Sequence, residues 1–140
     1  MKARRVNEHT FVVVLEPGEE VVAGLTGFAA EQGVTAARVS GIGALSEVTF
    51  GFYERDRKDY DRMTLAEQVE LLSLLGNLTV TDEGPRLHAH VVVSRTDGTA
   101  LGGHLFHASV WPTLEAFVVS SPVELRRRMN DEVGLPLIEP

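Results

Sequence analysis

Three histidines carry the most chemistry in this sequence. His88 and His90 lie in L-H-A-H-V-V-V, and His104 follows in L-G-G-H-L. Two residues apart on an extended strand, His88 and His90 project from one face. The stretch Arg86 to Leu105 reads as two apolar strands joined at Thr96-Asp97-Gly98, which puts His104 on the returning strand. The turn decides whether His104 joins the pair. A two-residue Asp-Gly turn sets Val91 opposite His104 and turns that imidazole to the other face. A type I turn closed by a G1 bulge, with Gly98 left-handed, shifts the register by one and sets His90 opposite His104. In the second case three imidazoles form a facial site for a divalent metal, with coordination positions left open. Otherwise the histidines are strand residues satisfied by hydrogen bonds.

The elements that must position them follow from apolar periodicity. Thr10 to Glu16 reads as a strand ended by Pro17-Gly18. Glu19 to Gln32 keeps helical spacing through Val21, Val22, Leu25, Phe28 and Ala29, with Gly33 as its stop. Gly24 and Gly27 suit close packing of this helix on a sheet. Ala36 to Ile42 and Glu47 to Tyr53 read as two further strands, and Glu67 to Thr81 as two strands or one long bent strand. Leu65 to Leu75 also fits a helix. Glu70, sharing a strand face with Leu72 and Leu74, is expected to be a partly buried carboxylate paired with an arginine or placed at a site.

The run Glu54 to Arg62 mixes both charge signs and reads as a solvated loop or strand extension. Trp111-Pro112 marks an edge or bulge. Ser121-Pro122 predicts a short C-terminal helix through Met129, with Arg126, Arg127 and Arg128 complementing its dipole. Gly134 to Pro140 reads as coil. The expected fold is therefore α/β (α+β): a mostly antiparallel, mixed sheet with one main helix packed on it and a short C-terminal helix. One domain over 1–140 is expected, with its core at about 10–130.

Composition bounds the partners. Forty-four per cent hydrophobic and 24% charged residues are ordinary for a globular protein. A net charge of −7 does not attract phosphate backbones. Without cysteine, any metal must be held by histidine, carboxylate or carbonyl. No apolar run approaches the roughly 20 residues of a membrane span, and the N-terminal M-K-A-R-R-V-N-E-H lacks the apolar core of a secretory signal. A cytoplasmic location is the expectation.

S-G-I-G-A-L-S-E-V-T-F at Ser40 to Phe50, V-E-L-L-S-L-L-G-N-L at Val69 to Leu78, and L-H-A-H-V-V-V with G-G-H-L together resemble the plants-and-prokaryotes-conserved (PPC) domain. The resemblance runs from about Thr10 to Ser120 and implies a mostly antiparallel sheet with a packed helix, assembled as a homotrimer. Glu70 matches the glutamate of that family's E-[IL]-[LI]-S segment. The PPC fold is also similar to that of acetolactate decarboxylase, whose H-x-H pair and later histidine imply zinc ligands at His88, His90 and His104. Plant members bind A·T-rich DNA through a separate AT-hook, whose R-G-R-P core is absent here. Prokaryotic members are often labelled DNA-binding.

Three functions are consistent with this reading. One is a trimeric binding, regulatory or assembly module with a metal or small ligand. Another is a lyase-like metal enzyme acting on a carbonyl-containing small acid, with Glu70 moving a proton or supporting a ligand. The last is direct DNA binding through Arg55, Arg57, Lys58 and Arg62 or the C-terminal arginines.

Overall fold

A computed structural model describes residues 1–140. The chain runs β1 (Lys2–Arg5), β2 (Thr10–Leu15), α1 (Val21–Gln32), β3 (Ala37–Glu54), β4 (Asp59–Leu65), β5 (Val69–Thr81), β6 (Gly84–Ser94), β7 (Ala100–Ser120), β8 (Arg126–Asn130) and β9 (Leu135–Glu139). All pairings between strands are antiparallel except a single parallel contact of β5 with β8. The mostly antiparallel mixed sheet with one main helix is thus the architecture found.

Four long strands organise it. β7 pairs with β3, β3 with β5, β5 with β6, and β6 returns to β7, closing a circuit of ladders. Alternation along each strand sends Val39, Leu45, Leu74, Leu78, Val91 and Val110 into one core of almost entirely buried side chains. Helix α1 covers that core with Val21, Leu25, Phe28 and Ala29, and Phe28 meets Phe11 edge-on at 5.2 Å. The Glu20 carboxylate caps its N-terminus by accepting from Ala23 N, and Gly33 ends it at φ 64°. Gly24 is packed as expected, since a Cβ there would lie 2.9 Å from Leu15 Cδ2, whereas Gly27 faces open space.

One boundary departs from the sequence reading and two others fall within it. The strands expected at Ala36–Ile42 and Glu47–Tyr53 are one 18-residue strand with register shifts at Gly43 and beyond. The 69–81 segment is one strand bulged between Leu71 and Ser73. The charged 54–62 run forms the tip of the β3–β4 hairpin.

The short C-terminal helix is replaced by a β8–β9 hairpin, in which Arg126 to Asn130 pair with Leu135 to Glu139. Val80 N donates to Leu125 O, and Arg127 reaches Thr79 and Asn77. Those contacts require an extended backbone beside β5, and they override a helix signal that rested on local capping alone. No helix is long and apolar enough to cross a membrane.

Candidate metal centre

The β6–β7 turn is the bulged one. Gly98 sits at φ 82°, Gly98 N donates to Arg95 O, and Arg95 N donates to Thr99 O. The resulting ladder pairs His90 with His104 and Val91 with Gly103. His88, His90 and His104 therefore converge on the outward face of the sheet, with one donor nitrogen from each lying within 4.8 Å of the others. Ring centroids are 5.4 Å apart for His88–His90, 5.0 Å for His88–His104 and 5.5 Å for His90–His104.

Gly76 and Gly102 allow the strands behind this patch to approach. A Cβ at Gly76 would lie 2.4 Å from His88 O, and one at Gly102 2.3 Å from Val91 O.

Two hairpins delivered from distant sequence wall the patch. Tyr60, in β4, stacks on His104 at 4.8 Å, and Phe106 meets the same imidazole edge-on at 4.9 Å. The β8–β9 hairpin brings Arg127, whose Nη2 donates to His88 Nδ1 at 3.1 Å and to Asn77 Oδ1 at 2.7 Å. The two hairpins are tied together by the Tyr53 hydroxyl donating to Val133 O and by Lys58 Nζ donating to Asp131 O. Between them lies a cavity of about 120 Å³ that reaches His88 and His104.

This enclosure controls protonation. Burial pushes the His104 pKa down to about 4, assisted by the neighbouring His88 and His90 and by Arg86 and Arg127. Burial lowers His88 as well, with Arg127 as the next cause. Both are neutral at pH 7, the form that coordinates a metal. His104 Nδ1 is buried and has no hydrogen-bond partner, a costly arrangement for a polar atom unless something occupies its lone pair or takes its proton. Donors in a tetrahedral zinc site stand about 3.4 Å apart, so small side-chain rotations would draw this set around one ion. The residues present fit a divalent metal.

Glu70 does not belong to this cluster. It is exposed, pairs with Ala44 and Ser94, and lies five residues along β5 from Leu75, the partner of His90. At ~3.3 Å per residue that is about 16 Å. The partly buried carboxylate expected from the sequence is corrected: the Leu71–Ser73 bulge leaves Glu70 and Leu72 facing solvent and Leu74 in the core. It forms no ion pair because, in solvent, it does not need one.

His107 is likewise apart, but for a different reason than strand parity. The ladder pairs Leu105 with Phe50 and His107 with Thr49, leaving Phe106 unpaired. His107 instead meets Glu20 at 3.5 Å and Glu47 at 3.7 Å.

Sequence reasoning missed Tyr60, Arg86, Phe106 and Arg127. Arg86 was within reach, since alternation places it on the face of His88 and His90. Tyr60 was hidden in a charged run, and Arg127 in an arginine triplet assigned to a helix end.

Fold and patch define the class: a closed antiparallel sheet carrying a three-histidine candidate metal centre on its outer face. The chain matches the Plants and Prokaryotes Conserved (PCC) domain over residues 3–122 and belongs to that family. A Bacteroides thetaiotaomicron structure, provisionally named a DNA-binding protein, is 31% identical, with a TM-score of 0.94 over 99% of this chain and 96% of that one. A metal-containing protein from Archaeoglobus fulgidus is 34% identical, with a TM-score of 0.87 over 98% and 100%. A plant- and prokaryote-conserved protein from Pyrococcus horikoshii is 28% identical, with a TM-score of 0.88 over 99% and 94%. Among curated proteins, the bifunctional protein GlmU of Synechococcus sp. (strain JA-3-3Ab) is 32% identical over 113 residues. That match takes in 80% of this chain and only 17% of GlmU.

Proposed function

We propose that this chain is a cytoplasmic, homotrimeric PCC-domain protein in which His88, His90 and His104 hold one divalent metal, zinc first among the candidates, with positions open to a small ligand. The observation that carries the reading is the convergence of three imidazole donors from paired strands, with a buried, unpartnered Nδ1 on His104 beside them. The metal-containing neighbour from Archaeoglobus fulgidus supports it.

Trimer formation is supported by the exposed apolar side chains of the sheet. Phe117 and Leu75 both flank Ser40 across their ladders, and Leu75 pairs with His90. Phe117 is 52% and Leu75 59% exposed, an arrangement that favours a covering surface.

A ligand-binding or regulatory role leads over catalysis. A bound metal would supply Lewis acidity to a carbonyl or a water, which would suit a lyase-like reaction on a carbonyl-containing small acid. Within one chain, however, the cavity lined by His88 and His104 carries no carboxylate to move a proton. The DNA-binding reading rests on neighbours' names. Against it stand the −7 charge and the pairing of Arg126 with Glu124 and of Arg128 with Glu139.

Elemental analysis of protein purified without a histidine tag tests the central proposal. About one zinc, nickel, iron or similar ion per chain is the expected result, and none after equimolar loading overturns it.

A further inference from the structure

The walls of the histidine cavity carry two arginines and no carboxylate. Three arginines near the site are paired, Arg126 with Glu124 and Asp82, Arg128 with Glu139, and Arg57 with Asp61, while Arg62 lies over the Phe106 ring at 4.1 Å. Arg86 and Arg127 both line the cavity, and neither forms an ion pair with a carboxylate. Arg127 is half-buried and held only by neutral acceptors: Nε donates to Thr79 Oγ1 at 2.9 Å, Nη1 to Pro136 O at 2.8 Å, and Nη2 to Asn77 Oδ1 and His88 Nδ1. In a chain of net charge −7 this is a local cationic seat without its anion.

The bond to His88 makes the seat depend on the metal. A guanidinium has only donors, so His88 Nδ1 must offer its lone pair to Arg127. A neutral imidazole has one such lone pair. If the metal takes it at Nδ1, Arg127 is displaced. If the metal takes Nε2 instead, the proton moves to Nδ1, which can no longer accept. Either way, with a metal held by His88, an Arg127 N–H would lose its imidazole acceptor and be left for a ligand.

Size and lining limit what can enter. The cavity, about 120 Å³, suits a small molecule, and Tyr60, Phe106, Leu135 and Leu137 supply apolar surface. Guanidinium groups match the planar fork of a carboxylate. We propose that Arg86 and Arg127 form the carboxylate subsite of the histidine centre, and that its ligand is a small 2-oxo- or 2-hydroxycarboxylate. This rests on the metal reading and names the ligand class for that site.

The test uses cobalt-loaded full-length protein, with metal content measured first, and pyruvate as the probe. Pyruvate should perturb the visible cobalt spectrum saturably, and methyl pyruvate, lacking the anion, should not. Arg86→Gln changes an exposed side chain and should weaken pyruvate ~10-fold with metal content unchanged. Arg127→Lys keeps the charge without the fork and should weaken it as well. Equal binding of methyl pyruvate, tighter binding of inorganic phosphate, or an unaltered Arg86→Gln affinity would each overturn the carboxylate seat while leaving the metal reading intact. Failure to retain cobalt would remove both, and the metal measurement identifies that case.

Discussion

His90 stands directly opposite His104 across the β6–β7 ladder, their ring centroids 5.5 Å apart. The pairing depends on Gly98 taking a left-handed conformation in the connecting turn. His88, two residues up the same strand, completes the patch, so the donor set is fixed by one turn and one ladder. Replacing His88, His90 or His104 with alanine should each release most of the bound metal, read by elemental analysis after dialysis. His107→Ala and Glu70→Gln should retain it, because His107 is engaged with Glu20 and Glu47 and Glu70 lies in solvent.

Acid should destabilise the metal-free protein through His104. In the unfolded chain a histidine takes up its proton near pH ~6.5, whereas in the fold His104 does so only at about 4. Between these values the unfolded state holds more protons, so stability falls as pH is lowered through that window and this group adds no further loss below it. Allowing for partial exposure, the loss is on the order of 1–2 kcal/mol. Urea titrations at both ends of the window should show it for wild type and a smaller change for His104→Asn; parallel curves would refute the assignment.

Assembly can be tested on the exposed face. Wild type should scatter light as a trimer at micromolar concentration, and Leu75→Asp or Phe117→Asp should shift it towards monomer. A wild-type monomer would count against the interface and remove the reason for those exposed side chains.

Duplex DNA should bind weakly, and binding should collapse as salt is raised, because any phosphate contact releases counterions. Tight, sequence-selective binding at ~150 mM salt in an anisotropy titration would contradict the ligand-binding reading.

Gly76→Ala should cost about 2–4 kcal/mol and loosen the metal site, since its Cβ would sit 2.4 Å from His88 O. Gly27→Ala is the contrasting case. Its Cβ meets nothing within 4 Å, so helix propensity alone should stabilise the protein by roughly 0.5–1 kcal/mol. Thermal melts of the two variants should move in opposite directions.

Period-two alternation in L-H-A-H-V-V-V and the helical spacing of Val21, Leu25 and Phe28 are local signals. They determined by themselves that His88 and His90 share a face and that one main helix covers a β-rich core. The same signals left His104 with two possible registers, because Asp97-Gly98 is compatible with two turns and only the paired strands choose between them. They misplaced Glu70, since a bulge after Leu71 changes which neighbours share its face, and strand parity cannot foresee a bulge. They also read the arginine triplet as a helix end. In the fold, acceptors at Asn77, Thr79 and His88 capture Arg127 from as far as 50 residues away and hold that segment extended. The charge, the aromatic wall and the cavity beside the histidines are long-range contacts of this kind, made by Tyr60 and Arg127 arriving on separate hairpins, and only tertiary packing decides which of them meet.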